Sequence, residues 1–547
     1  MLTGLLLLPL LFAQDSRLTS LPNTDTHFTT PVPVYPTREA WEKRKVQLRR
    51  QILTAAGLDP MPARSPLHAQ VFGKITTKDC TIEKVLIETM PGYFLGGNLY
   101  RPLNPAGRHP AVLNPHGHWN YGRLENQPLY SGPTLGANLA RQGYVVFAWD
   151  MVGYNDTIQT PHAFGTPAEK LWSFGPVGLQ LWNAIRAVDF VSELADVDPN
   201  RLAMTGASGG ATQTLLFAAV DDRVQYYAPV NMVSAIMQGG DTCENAPGLR
   251  VGTNNVEIAA MIAPKPLILV AATGDWTRNT PTEEYPAIKK IYELYGKPEN
   301  LETVMLDAPH NYNKENRESV YRFFAKHILH SAGTKEVNTE VPKLQDMLAL
   351  FGRPQPANAL TYDQILAQWK QREPADGKEA LARALGTEWP AGVVSDGAAL
   401  SRPSVQDRIP YKLIEGKGTP ALIVGGTAKD APAGRPAVII EVFQTRDHSG
   451  KHFDAFNRSD DQLRVQDILT ALAWMHGKYA GETELIGVGT AASVWTEFAA
   501  AVAPVPVKVR GNTSGFHGTD DDFLKYFNVP GIQLAGGFSA AERLIKR

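Results

Sequence analysis

A serine hydroxyl is a weak nucleophile unless a base takes its proton, so a reactive serine has to be sought together with an imidazole and an acid. Gly206-Ala207-Ser208-Gly209-Gly210 has the form G-x-S-x-G and lies between the apolar run LAMT and the helix-compatible ATQTLLFAAV. In a sharp strand-to-helix turn, this spacing presents the hydroxyl at the mouth of a sheet. Tiny residues two places away let strand and helix cross closely. His310, in Asp307-Ala308-Pro309-His310-Asn311-Tyr312, follows another apolar run and is the expected base. Asp275, in Gly274-Asp275-Trp276 directly after PLILVAAT, is the acid expected to hold the imidazole in the right tautomer. Asp307 and Asp241 compete for that place, and Asp307 is so near His310 that fixing the loop suits it better.

Acyl transfer also needs donors for the developing oxyanion. The amide of Gly209 supplies one, and the loop His116-Gly117-His118-Trp119 after PAVLNP is placed to supply the other. The His118 amide is favoured, with Trp119 as the alternative; each donor is worth about 2.7–4 kcal/mol in the transition state. Trp119, Trp276 and Tyr312 flank these positions and are expected to touch substrate, since aromatic faces suit a sugar ring. Arg278, three residues after Asp275, is read as solvated, and Asp150 as bracing a loop at a strand end. No cofactor is required for this chemistry. His116 and His118 are not taken as metal ligands, because no third ligand is apparent. His448 and His452, four residues apart in a Gly- and Lys-containing loop, are not taken as ligands either.

The elements that must carry these groups alternate between strand and helix. VLIET and FLGGNLY predict a hairpin. Apolar runs follow at 110–117, 144–150, 201–208, 224–230, 266–273 and 303–310, with helical patterns between them, as at 177–195 and 209–220. Near-continuous apolar strands mean a parallel sheet covered on both faces, whose ligands bind beyond the carboxyl ends of the strands. A helix capped by Thr37 is expected to bury Trp41, Leu48, Ile52 and Ala56 and to stop at Gly57. Its Lys43, Arg44, Arg49 and Arg50 are read as a solvated face.

The chain of 547 residues is 43% hydrophobic and 20% charged, an average globular balance with room for two to four domains. Its 53 basic against 55 acidic residues, a net charge of −2, argue against a nucleic-acid partner. The 2 cysteines, Cys80 and Cys243, exclude a disulfide scaffold and a four-cysteine zinc site but leave one bridge open. Met1 to Ala13, MLTGLLLLPLLFA, is too short to span a bilayer and reads as a secretory signal lacking a basic residue, which predicts a secreted or periplasmic protein with no membrane span in the mature chain.

Residues 14–36 read as an extended arm, 37–333 as the catalytic domain and 334–410 as a connector. From 411 to 547 the first domain's pattern returns. TPALIVGG parallels HPAVLNPHG, and AVIIEVFQTRD parallels YVVFAWDMVGYND. The helix LRVQDILTALAWM parallels LQLWNAIRAVDFV, and ELIGVGTAASVW parallels RLAMTGASGGAT. This second copy is truncated and puts Gly489 where Ser208 stands, so it lacks the nucleophile. His517 and Asp520 lie near its end without one.

The motifs HGHW (116–119), DMVGYNDT (150–157), TGASGGATQT (205–214), CENAPGLR (243–250), GDWTRNTP (274–281) and APHNYN (308–313) resemble those of bacterial acetyl xylan esterases and dienelactone-hydrolase-like carbohydrate esterases, within the α/β-hydrolases. The order serine, aspartate, histidine along the chain is also theirs. The resemblance covers about residues 37–330 and implies a serine esterase acting on acyl, chiefly acetyl, groups of plant polysaccharides. Where such families use a two- or three-glycine oxyanion loop, this chain has His118 and Trp119. Two enzymatic rivals are a uronate methyl esterase and a prolyl-oligopeptidase-like peptidase. The short stretch before the oxyanion loop leaves no room for the β-propeller that such peptidases usually carry. A non-catalytic carbohydrate-binding protein is the remaining rival.

Overall fold

The computed structural model describes residues 34–104, 106–374, 377–405 and 407–546. Met1–Ala13 and most of the 14–36 arm lie outside the described residues. The chain divides into two compact units. One holds the described residues up to Glu373 together with Lys451–Phe456; the other holds Pro374–Gly450 and Asn457–Arg547.

The main sheet of the first unit has nine strands among the described residues: β1 (Gln70–Thr76), β2 (Cys80–Met90), β3 (Tyr93–Pro102), β4 (His109–Pro115), β5 (Val145–Trp149), β6 (Val197–Ala207), β7 (Tyr226–Val230), β8 (Leu267–Gly274) and β9 (Leu301–Pro309). They lie in the order β1-β2-β3-β5-β4-β6-β7-β8-β9. The antiparallel β2–β3 hairpin is the expected one, and from β5 to β9 every pairing is parallel. Val112, Leu113, Val146, Phe147, Ala203 and Met204 are all buried, since helices cover both faces of the sheet. The most important helices are α1 (Arg38–Ala55), α2 (Pro176–Glu193) and α3 (Gly209–Val220).

Helix α1 forms as its pattern requires. The Thr37 hydroxyl accepts from the Ala40 amide, a cap worth about 1 kcal/mol. Trp41, Leu48 and Ile52 are fully buried, about 1.5–3 kcal/mol for each aliphatic side chain, and Gly57 at φ 65° ends the helix. Its basic face is not simply solvated. Arg44 pairs with buried Glu257 at 2.9 Å, and Arg49 pairs with Asp222 at 2.8 Å. A buried carboxylate needs such a partner, and Glu257 lies 213 residues from Arg44.

The 334–410 stretch divides between the units. Ile365 and Trp369, one helical turn apart, are buried in the same core as Trp41. The residues after Pro374 belong to the second unit. That unit holds a seven-stranded sheet of β10 (Val394–Ser395), β11 (Ala399–Ser401), β12 (Ile409–Ile414), β13 (Ala421–Val424), β14 (Ala437–Ile440), β15 (Thr483–Gly487) and β16 (Val507–Arg510). Its order is β10-β11-β12-β14-β13-β15-β16. Three antiparallel pairings are followed by three parallel ones, as in β1 to β7 of the first sheet. The second unit is therefore another α/β domain of hydrolase-like topology. Among its described residues, no strand stands where the first sheet has β8 and β9. No described helix is long and apolar enough to cross a membrane.

Candidate active site

Parallel pairing brings the expected groups to one edge. Ala207 is in register with Val230, Val230 with Val270, and Gly274 with Pro309, so the residues just beyond β6, β8 and β9 emerge on the same side of the sheet. Those residues are Ser208, Asp275 and His310.

Ser208 caps α3 with φ 57° and ψ −127°, a left-side backbone conformation rare for a residue with a side chain. Its amide donates to the Val230 carbonyl at 3.1 Å, which anchors the turn to β7. The flanking glycines are required by contact. A Cβ on Gly206 would stand 2.5 Å from the Pro115 oxygen, and one on Gly210 would stand 2.3 Å from the same atom. A Cβ on Gly117 would meet the Ala207 oxygen at 2.6 Å and the Ser208 Cβ at 3.0 Å, so the 116–119 loop passes directly over the elbow.

His310 Nδ1 lies 3.3 Å from Asp275 Oδ1, within ion-pair range but angled off a hydrogen bond. Such contacts commonly tighten only when substrate is bound. The Asp275 side chain is fully buried and held by two donors, the Trp276 amide at 2.7 Å and the Thr277 hydroxyl at 2.9 Å. The His310 ring is a quarter exposed and is flanked by Trp276, with ring centroids 4.2 Å apart, and by Trp119 at 6.4 Å. Asp307 is exposed and accepts from the Thr273 hydroxyl at 2.6 Å, tying β9 to β8.

The Trp119 amide already donates to the Gly117 carbonyl at 2.9 Å, which weighs for His118 as the second oxyanion donor. His116 is buried with both ring nitrogens engaged. Nδ1 meets the Gly117 carbonyl at 2.7 Å and Nε2 accepts from the Met151 amide at 2.9 Å. Burial pushes its pKa down to about 3. The ring is therefore a neutral bolt through the loop and has no nitrogen left for a ligand.

Tyr312 is not where a substrate contact would be. It is fully buried, with its hydroxyl 2.7 Å from the Thr205 hydroxyl beneath the elbow. Its ring stacks on Tyr130, which in turn stacks on Trp119. The residues after β9 turn inward at Asn311, whose carbonyl accepts from the Asn231 side chain, and this carries the aromatic into the core. Trp119 and Trp276 remain partly exposed. Arg278 is exposed, its guanidinium reaching the Asp275 carbonyl at 3.4 Å. Asp150 is buried against Arg123 and accepts from Asn155 at 2.7 Å and the Asp156 amide at 3.0 Å, the brace expected of it.

At the 116–119 loop lies a group that spacing did not signal. His118 Nε2 is 3.0 Å from Cys243 Sγ and 3.4 Å from Asp241 Oδ2, and the His162 ring is 5.1 Å from the His118 ring. Cys80 and Cys243 are both buried and free, so the bridge left open by the sequence is absent. In the second unit Gly489, at φ 85°, caps the helix α4 (Thr490–Val502) after β15, the place Ser208 holds after β6.

No family model matches the chain. Over 309 residues it is 24% identical to the "Putative hydrolase YtaP" of Bacillus subtilis (strain 168), spanning 52% of this chain and 99% of that protein. Among solved structures, Methylesterase BT1017 superposes with a TM-score of 0.53 at 27% identity, covering 61% of this chain and 75% of its own. A glucuronoyl esterase from Solibacter usitatus gives a TM-score of 0.41 at 17% identity over 54% of this chain and 98% of its own. With the strand order and the elbow, the likeness to Methylesterase BT1017 gives the first unit an α/β-hydrolase fold that resembles that esterase.

Proposed function

We propose that the protein is a serine esterase acting on esters of plant polysaccharides. In this reading His310 takes the Ser208 proton as Oγ attacks the ester carbonyl, and the amides of Gly209 and His118 receive the oxyanion. The alcohol leaves with the proton from His310. Water, deprotonated by the same imidazole, then hydrolyses the acyl-enzyme. Asp275 stabilises the imidazolium from its buried, doubly donated position. The observation that carries the reading is the conjunction of Ser208 in its strained turn with Asp275 and His310 abutting after neighbouring strands. No step calls for a cofactor. Trp119 and Trp276 offer the partly exposed aromatic faces beside His310 for a sugar ring.

The motif resemblance favours an acetyl ester. The likeness to a methylesterase favours a second reading, a uronate methyl ester. Incubation with acetylated xylan, acetylated pectin and methylated pectin separates them, acetate released supporting the first and methanol the second. For the reaction class, Ser208→Ala is expected to lower turnover of a short aryl ester by about 10⁶-fold while leaving the circular dichroism spectrum unchanged. Turnover undiminished in a folded variant would sink the assignment. Export through a signal at Met1–Ala13 is part of the same proposal, since a polysaccharide substrate lies outside the cytoplasm.

A further inference from the structure

The His118 side chain of the 116–119 loop and two side chains beside it form a ligand set that ester hydrolysis leaves unused. The available nitrogen and sulfur atoms of His118, His162 and Cys243 all lie within 4.8 Å of one another. His162 Nδ1 lies 2.7 Å from the Val152 carbonyl, and so carries the proton that it donates there. Its Nε2 then presents a lone pair, and that atom is buried with no hydrogen-bond partner among the described residues. An imidazole oriented by a backbone carbonyl, with its other nitrogen bare, is the arrangement that metal-ligating histidines show. His118 Nε2 faces the same space, 3.0 Å from Cys243 Sγ. Bonds of about 2.0–2.3 Å put the corners of a tetrahedral site about 3.5 Å apart, so small rotations bring the three atoms to a common centre.

We infer that His118, His162 and Cys243 bind a divalent transition metal of the zinc type, with Asp241 positioned to close the fourth corner. Two imidazoles, a thiolate and a carboxylate suit zinc or cobalt(II) and do not suit calcium or magnesium. Asp241 already approaches the shared His118 nitrogen at 3.4 Å, and its half-exposed side chain gives the ion a route from solvent. Glu244 is the weaker claimant, because its carboxylate accepts from the Thr212 hydroxyl and the Gly240 amide. Binding replaces the Cys243 S–H bond by a sulfur–metal bond and releases one proton to solvent, with no change of oxidation state. The ion would pin the 116–119 loop to the turn Thr242–Glu244 through the His118 ring, leaving the His118 amide to its proposed oxyanion role. The inference is thus independent of the triad.

The test uses the full chain, stripped with chelator, dialysed and titrated with cobalt(II) and with zinc. One equivalent per chain is expected, with a near-ultraviolet thiolate-to-cobalt charge-transfer band, release of one proton from Cys243, and a melting temperature raised by each metal. Cys243→Ala should abolish the band, and Cys80→Ala should retain it. His162→Gln should weaken binding by about 10–100-fold or more. Absence of a band and of bound zinc in the wild type would overturn the inference, as would a band that survives in Cys243→Ala. Should Cys243→Ala fail to fold, undiminished affinity in His162→Gln would refute it equally.

Discussion

At the scale of single residues, burial decides what each histidine near the elbow can do. His310 keeps a quarter of its side chain exposed beside a buried acid, whereas His116 is enclosed and neutral. The enclosure has a pH signature. Unfolded, the His116 imidazole returns to its ordinary value of 6.5, while in the fold burial holds it at about 3. Near pH 7 neither state is protonated and the full stability is present. As pH falls from 6.5 toward about 3, only the unfolded chain binds the proton, so stability falls by up to about 1.4 kcal/mol per pH unit. The urea midpoint of the wild type should therefore drop more steeply between about pH 6.5 and about 4 than that of His116→Gln, whatever the variant loses at pH 7. Equal slopes would contradict the neutral, buried assignment. His162, whose pKa burial also lowers, contributes to the slope of both proteins alike. Ser208, Asp275 and His310 were legible because each follows an apolar run, a pattern set by neighbours in the chain. Tyr312 departs from the expected substrate contact because a residue just past a strand can turn outward or inward, and only the path of Asn311 decides which.

At the scale of elements, the elbow depends on how closely α3 crosses β4. Gly210 in the first turn of the helix faces the Pro115 carbonyl and the His116 backbone, with no flexible side chain between them to yield. Gly210→Ala is expected to cost about 1–3 kcal/mol, read as a lower urea midpoint, and to slow ester turnover as the loop above Ser208 is displaced. A midpoint and turnover equal to the wild type would show the crossing to be looser than these distances imply. The hairpin, the parallel strands and the capped helix α1 were all readable from periodicity, since burial on both faces or on one stripe leaves its mark within a few residues. The partners of the basic face of α1 were not readable, because Arg44 meets Glu257, 213 residues away, only through tertiary packing.

At the scale of the whole molecule, two units share one strand order but not one complement of chemistry. The first sheet continues through β8 and β9, whose carboxyl ends carry Asp275 and His310. The second stops at the counterpart of β7 among the described residues and has Gly489 at its elbow. Among its described residues no strand follows to present an acid and a base as β8 and β9 do. A serine-directed fluorophosphonate is accordingly expected to label one residue per chain, with labelling abolished in Ser208→Ala. A second equivalent, or label persisting in that variant, would place reactivity in the other unit. The recurrence of segments from 419 onward was visible in sequence, whereas the division of 334–410 between the units was not. Ile365 and Trp369 look like an ordinary helical stripe until the core they enter is known.

What the amino-acid order alone determined about this protein is local: apolar runs that become buried strands, a glycine-flanked serine that must turn sharply, a capped helix, and the succession of serine, acid and imidazole at strand ends. These follow from interactions within a few residues, where sterics and burial leave little choice. What only the tertiary structure decided is which distant groups meet. The approach of Cys243 to His118 spans 125 positions, and the burial of Tyr312 under the elbow and the ion pairs of α1 likewise depend on loop paths. Those paths are set by the packing of the whole unit, which no stretch of chain encodes by itself.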